Sequence, residues 1–211
     1  MKHFYRLFAA GLLLTTVLKG EEISGELKKW HNVTLTFSGP QTGEDSTPNP
    51  FLDYRLNVTF SNGNKTCLVP GYFAADGDAA NTSATEGNKW RVHFCPDEIG
   101  TWDYSVSFRQ GDQIAVSDDN NAGSPVVDLN GQTGSFDITA SDKSVPDLRA
   151  KGRLQYVGKR YLQFAETGEY FLKQGADAPE NFLAYEDFDN TPNNGNRRKS
   201  WAPHANDWRE G

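Results

Sequence analysis

Near its end the chain sets down a dense group of acids. In FLKQGADAPENFLAYEDFD (171–189), Asp177, Glu180, Glu186, Asp187 and Asp189 are interleaved with Asn181, Phe182, Tyr185 and Phe188. Carboxylates can bind hydroxyls and cations or move protons, and aromatic rings beside them add flat apolar surface, so the segment reads as part of a binding or catalytic face. Acids adjacent along one loop are ordinarily just hydrated, and paired acid–base roles usually come from separate elements. The residues weighed as contacts are Asp177, Glu180, Asn181 and Tyr185. No serine nucleophile elbow, phosphate-cradling glycine loop or dinucleotide fingerprint accompanies them. No cofactor is expected, and no metal: the Asp-rich turns at Asp76–Asp78 and Asp118–Asn121 lack the spacing of a calcium loop.

The elements that would position such a face are strands. Between residues 33 and 138 the period is two: VTLTF (33–37), DYRLNVTF (53–60), KWRVHF (89–94), TWDYSVSF (101–108) and, more weakly, SFDI (135–138) each put one apolar face against one polar face. That is antiparallel sheet covering a core on one side. Turn clusters such as SNGN and DGDAANTSATEGN separate the strands, and the pattern predicts an all-β fold, an immunoglobulin-like antiparallel β-sandwich over 25–140. Trp90 and Trp102 fall on the apolar faces and are assigned to the core. Residues 139–151, TASDKSVPDLRAK, break the alternation, and 141–151 is read as a linker. Strands return in GRLQYV (152–157), RYLQFA (160–165) and EYFLKQGAD (169–177).

The bulk numbers restrict the partners. The chain has 211 residues and a formal net charge of −7, which disfavours nucleic acid and anionic membrane surfaces because both need a basic stripe. Lys2, His3 and Arg6 precede the apolar run LFAAGLLLTTVL (7–18). The run is too short to span a bilayer and reads as an export signal over 1–20, which puts the protein outside the cytoplasm with no membrane attachment after cleavage. In that compartment Cys67 and Cys95 suggest one disulfide, the alternative being two buried free thiols.

WHNVTLTFSGP (30–40), NPFLDYRLNVTF (49–60), VPGYFAADG (69–77), WRVHFCPDEIGTWDYSVSF (90–108), GRLQYVGKRYLQF (152–164) and FLKQGADAPENFLAYEDFDNT (171–191) together carry a resemblance. Over residues 25–211 the chain resembles the N-terminal region of secreted bacterial proteins with the domain of unknown function 5060, which precedes a glycoside-hydrolase-like barrel. The resemblance implies a sandwich followed by a short hairpin that starts a (β/α)8 barrel, with YFLKQGAD as its first strand and the acidic loop at that strand's C-terminal end, where barrel enzymes build their sites. It also implies polysaccharide or oligosaccharide as partner. Asp177 and Asn181 would then meet sugar hydroxyls, Glu180 would hold the loop, and Tyr185 would stack on a ring. A whole barrel takes about 250 residues, and only 60 follow the linker. The expectation is therefore an accessory region, inactive by itself, with an incomplete barrel start over 152–211 and a surface that packs on the missing barrel. The alternative is a stand-alone carbohydrate-binding or adhesion module, with Trp30, Tyr72, Phe73 and Trp201 as candidate platforms.

Overall fold

The computed structural model describes residues 21–173. The described residues are all-β, built from antiparallel strands with one short α-helix among them. Strands β1 (Glu21–Gly25), β2 (Val33–Gly43), β5 (Tyr72–Phe73) and β6 (Glu86–Phe94) form one sheet in the order β1-β2-β6-β5. Strands β3 (Tyr54–Asn62), β4 (Lys65–Pro70) and β7 (Gly100–Gln110) form the second in the order β4-β3-β7. The far edge of β7 is shared by β8 (Ser124–Pro125) and β9 (Thr133–Ile138). A one-turn helix, α1 (Ala79–Thr82), lies between β5 and β6.

The alternation in the sequence sets which side chains turn inward. Val33, Leu35 and Phe37 of β2, Val58 and Phe60 of β3, and Trp102 and Phe108 of β7 are fully buried, as period-two patterning requires. The two sheets face each other through these rings. Phe60 of one stacks on Phe94 of the other, with centroids 4.1 Å apart and planes 3° from parallel. Trp90 lies between Tyr54, Phe73 and Phe108 at 5.1, 5.3 and 4.8 Å. Trp90 and Trp102 are core residues, and each indole N–H reaches a backbone carbonyl, of Pro40 and Glu98 respectively. Buried aromatics packed this way contribute beyond the area they cover.

One polar pair enters this interior. Glu21, at the start of β1, accepts a short hydrogen bond from the Tyr104 hydroxyl, and its other carboxylate oxygen is buried without a partner. Burial raises the Glu21 carboxyl above its ordinary value, against the hydrogen bond from Tyr104, and burial together with Glu21 raises the Tyr104 hydroxyl strongly.

The expected disulfide is not formed: Cys67 and Cys95 are both free. Cys67 lies on β4 opposite Phe60 and packs against the core. Cys95 follows the inward-facing Phe94 at the end of β6, in the other sheet, and is exposed. One thiol faces in and the other out, so the two strands do not present them to each other.

Beyond β9 the regular structure thins. A 3-10 turn at Leu148–Lys151 leads into a hairpin of β10 (Leu154–Gln155) and β11 (Gln163–Phe164), shorter than the strands expected over 152–157 and 160–165. Tyr170 adds a single bridge to Gln163. The 1–20 segment and everything from 174 onward lie outside the described residues. Among the described residues no helix is long and apolar enough to cross a membrane.

Candidate functional site

Asp177, Glu180, Asn181 and Tyr185, with Trp201, lie outside the described residues. Of the other aromatic platform candidates, Trp30 and Phe73 are buried and only Tyr72 is exposed, at 44%. Tyr72 nevertheless stands in a site. The chain leaves β4, passes Gly71 and crosses to β5 in the opposite sheet. Gly71 is tied to β3 by its N–H to the Leu56 carbonyl at 2.7 Å, and a Cβ there would come within 2.8 Å of the Arg91 carbonyl. At this corner a depression of about 370 Å³ opens, with Leu68, Asn57 and Pro50 around it and Tyr54 and Trp90 beneath. A second, of about 290 Å³, lies beside it, lined by Glu44, Asp78 and Arg91 among others. Phe51, Tyr72 and Phe73 belong to both, so the pair forms one groove with an aromatic ridge across it.

Both exposed rings are held in place. The Tyr72 hydroxyl is hydrogen-bonded to His93 Nε2 at 2.9 Å, and the two rings are 5.6 Å apart. Phe51 meets Phe73 edge to face at 6.2 Å. Its loop is locked from both ends: the Asn49 side chain accepts from the Phe51 N–H at 2.9 Å, and the Asp53 carboxylate accepts from Asn49 N and Gln113 N. Such Asx turns fix a backbone that lies outside regular structure. Sequence reasoning passed over Phe51. Its signal is an aromatic two residues after an Asn and directly after a Pro, where a polar turn cluster ends in Phe51 and Leu52 before β3 begins.

Charged groups complete the surroundings. Arg55 and Arg109 stand directly opposite each other on β3 and β7. Their repulsion is offset by loop carbonyls: Arg55 donates to Ser117, Asp119 and Asn120, and Arg109 to Asn121, Ala122 and Gly123. These bonds fasten the 117–123 loop beside the groove. On the other side the Thr82 hydroxyl and the Asp78 amide hold the Asp76 carboxyl below its usual range, with a smaller contribution from Arg91. Arg91 itself donates through Nε to Thr36 Oγ1 at 3.2 Å.

A second cluster joins the hairpin to the two-sheet body. The Trp30 indole N–H donates to Glu166 at 2.8 Å and the Lys29 ammonium pairs with the same carboxylate at 2.7 Å. The Trp30 ring packs on Gly152, whose φ of +78° and missing side chain permit the approach. Trp30 is therefore a clamp for the hairpin, not a platform open to ligand. Nearby, Glu26, His31 and Asp142 bring one donor atom each within 4.8 Å of one another, a metal-like set. Two ammonium groups are already there: Lys143 reaches Glu26 and Asp142 at 3.1 and 3.3 Å, and Lys28 reaches Asp142 at 2.6 Å. Lysine is a donor with no lone pair when charged, so the cluster works as an ion-pair latch between 26–31 and 139–143. The Lys28 and Lys143 partners draw the Asp142 carboxyl down to about 2. The 400 Å³ cleft at this joint is lined by Lys29, Lys143 and Arg149, each already paired with a carboxylate.

Residues 26–109 match the family model Domain of unknown function (DUF5060). Among solved structures, the chain is similar to a putative glycoside hydrolase from Bacteroides vulgatus ATCC 8482, at 24% identity and a TM-score of 0.44. That match covers 68% of this chain and 20% of the other, so the chain spans about a fifth of that protein's length. No curated protein matches.

Proposed function

We propose that this chain is the accessory region of a secreted, glycoside-hydrolase-like protein acting on polysaccharide. In this reading an immunoglobulin-like sandwich over 25–140 is followed by a connector at 141–151 and by a hairpin that begins a barrel. The hairpin is half of an interface, and its apolar face packs on the barrel.

One observation supports the reading most. Leu154, Tyr156, Tyr161, Leu162, Tyr170 and Leu172 are all exposed within the short stretch 152–172, and Phe164 is the one large apolar side chain there that is buried. An apolar surface of that density on so small an element is the mark of a docking face. The DUF5060 match over 26–109 fits a glycoside-hydrolase-associated region, and a barrel is the occupant this reading assigns to the face.

The decisive experiment reads the coding DNA past the Gly211 codon. An open frame that continues into a glycoside-hydrolase-like domain is expected. A stop codon directly after Gly211 contradicts the proposal. The purified 211-residue chain is expected to release no reducing sugar from a polysaccharide panel, since paired carboxylates for glycoside cleavage come from several strand ends of a closed barrel.

A further inference from the structure

We propose that the groove around Phe51 and Tyr72 binds a neutral glycan chain. The identification of the ligand as a glycan rests on the proposed function; the site itself rests on geometry alone.

Phe51 and Tyr72 are 52% and 44% exposed, yet neither ring is loose. Tyr72 is tethered through its hydroxyl to His93, and Phe51 is braced against Phe73 over a backbone fixed by Asn49. A ring already held in place loses little rotamer freedom when a ligand stacks on it, which is the main cost of using an exposed side chain for binding. The floor is equally fixed, because Tyr54, Phe73 and Trp90 are core residues.

The shape suits a chain of rings more than a compact molecule. Two depressions, about 370 and 290 Å³, lie on either side of the same aromatic ridge. A sugar has an apolar face of C–H groups and a rim of hydroxyls. The groove offers both counterparts: aromatic faces at the ridge, and Asn57 on one side with Glu44, Asp78 and Arg91 on the other. Apolar pockets with a few convergent polar groups are the usual form of small-ligand sites.

Charge selects neutral sugars. Glu44 and Asp78 line the groove together with Arg91 and Arg55, so its own charges balance; Arg91 is bonded through Nε to Thr36, Arg55 commits its guanidinium to the 117–123 loop, and the chain carries a net charge of −7. A polyanionic glycan would find no surplus of positive charge in the groove and would meet the chain's net negative charge at long range. An extended peptide is disfavoured for a different reason. Strand addition needs a run of unpaired backbone groups; of the two edge strands at the groove, β5 is only two residues long, and β4 (Lys65–Pro70) closes at the groove on Pro70, which has no N–H to offer.

Affinity electrophoresis of the full chain tests the site, with xyloglucan, galactomannan and mixed-linkage β-glucan as neutral probes and polygalacturonate and alginate as acidic ones. Retardation by at least one neutral polysaccharide and by neither acidic one is expected. Tyr72→Ala and Phe51→Ala should each weaken retardation about ten-fold or more, the range in which anchor residues at interfaces fall, while Tyr156→Ala on the hairpin leaves it unchanged. If an alanine variant fails to fold, by circular dichroism, Tyr72→Leu or Phe51→Leu removes the ring and keeps the apolar bulk. Four results overturn the proposal: no retardation by any neutral probe, retardation by the acidic probes only, full retardation in a folded Phe51/Tyr72 double variant, or selection of extended peptides that this double variant no longer binds. None of them touches the reading-frame test of the accessory role, so the two failures remain distinguishable.

Discussion

The two-sheet body and the C-terminal hairpin use similar residues to opposite ends. In the body, all but a few aromatics such as Phe51 and Tyr72 turn inward: Phe60 on Phe94, Trp90 among Tyr54, Phe73 and Phe108. In the hairpin, Tyr156, Tyr161 and Tyr170 face out and Phe164 alone is buried, meeting the half-buried Phe171 edge to face at 5.8 Å. A two-stranded ribbon cannot bury both of its faces, and an isolated one is marginal in water. The body closes its core between two sheets; the hairpin is held to it by the clamp at Trp30 and Glu166 and leaves its outer face exposed.

The largest expected effect is in the body. Trp90→Ala removes the ring that three others pack on and should cost about 3–5 kcal/mol, read as a lower urea midpoint. The same kind of cut at the joint should behave differently. Trp30→Ala should leave the body's urea midpoint much closer to that of the parent and open 153–166 to proteases first. Equal loss of the body in both variants would mean that the two regions unfold as one unit.

A third test concerns the buried carboxylate. The folded Glu21 carboxyl titrates above its ordinary 4.5 because burial disfavours its charge. The stability it contributes is present below the unfolded value and is lost as pH rises through the folded one. Glu21→Gln keeps an acceptor for Tyr104 without the charge, so it should stabilise the fold at pH 7 by about 1 kcal/mol, the scale of one buried polar group left unsatisfied, and give no advantage near pH 4. Thermal melts of both proteins across that range check the sign.

Thiol titration tests the relation between the two sheets. Two reactive thiols per denatured chain are expected without reductant, and in the native protein Cys95 should label before Cys67. The smallest effect is in the latch. Asp142 is held down to about 2 by Lys28 and Lys143, so its contribution is present above the unfolded value near 3.8 and fades as pH falls toward 2. The pairs are exposed, so high salt should loosen 139–143 only slightly, visible as faster amide exchange there.

How much of this was legible follows from range. Period-two alternation is local, and by itself it places Leu35, Val58, Val92 and Val106 on the inner faces, where they are buried. β1 was missed because EEISG carries one large apolar residue and is strand only through its pairing with β2. The facing of Cys67 and Cys95 depended on which sheet each strand joins, and strand order is not written in the strands. Tyr72 was picked out for its type, but Trp30, picked out beside it, is claimed by Glu166, 136 positions away. Phe51 joins the groove because Asn49 and Asp53 turn its loop there, a side-chain-to-backbone effect that composition does not reveal.

The comparison between body and hairpin is tested most directly by hydrogen exchange, on the 211-residue chain and on the protein encoded by its full reading frame. The account predicts that amides of β6 and β7 are protected for hours in both, whereas those of 154–172 exchange early in the chain alone and slow markedly in the longer protein. Protection of 154–172 equal to that of β6 and β7 in the isolated chain, or unchanged exchange there in the longer protein, would contradict it.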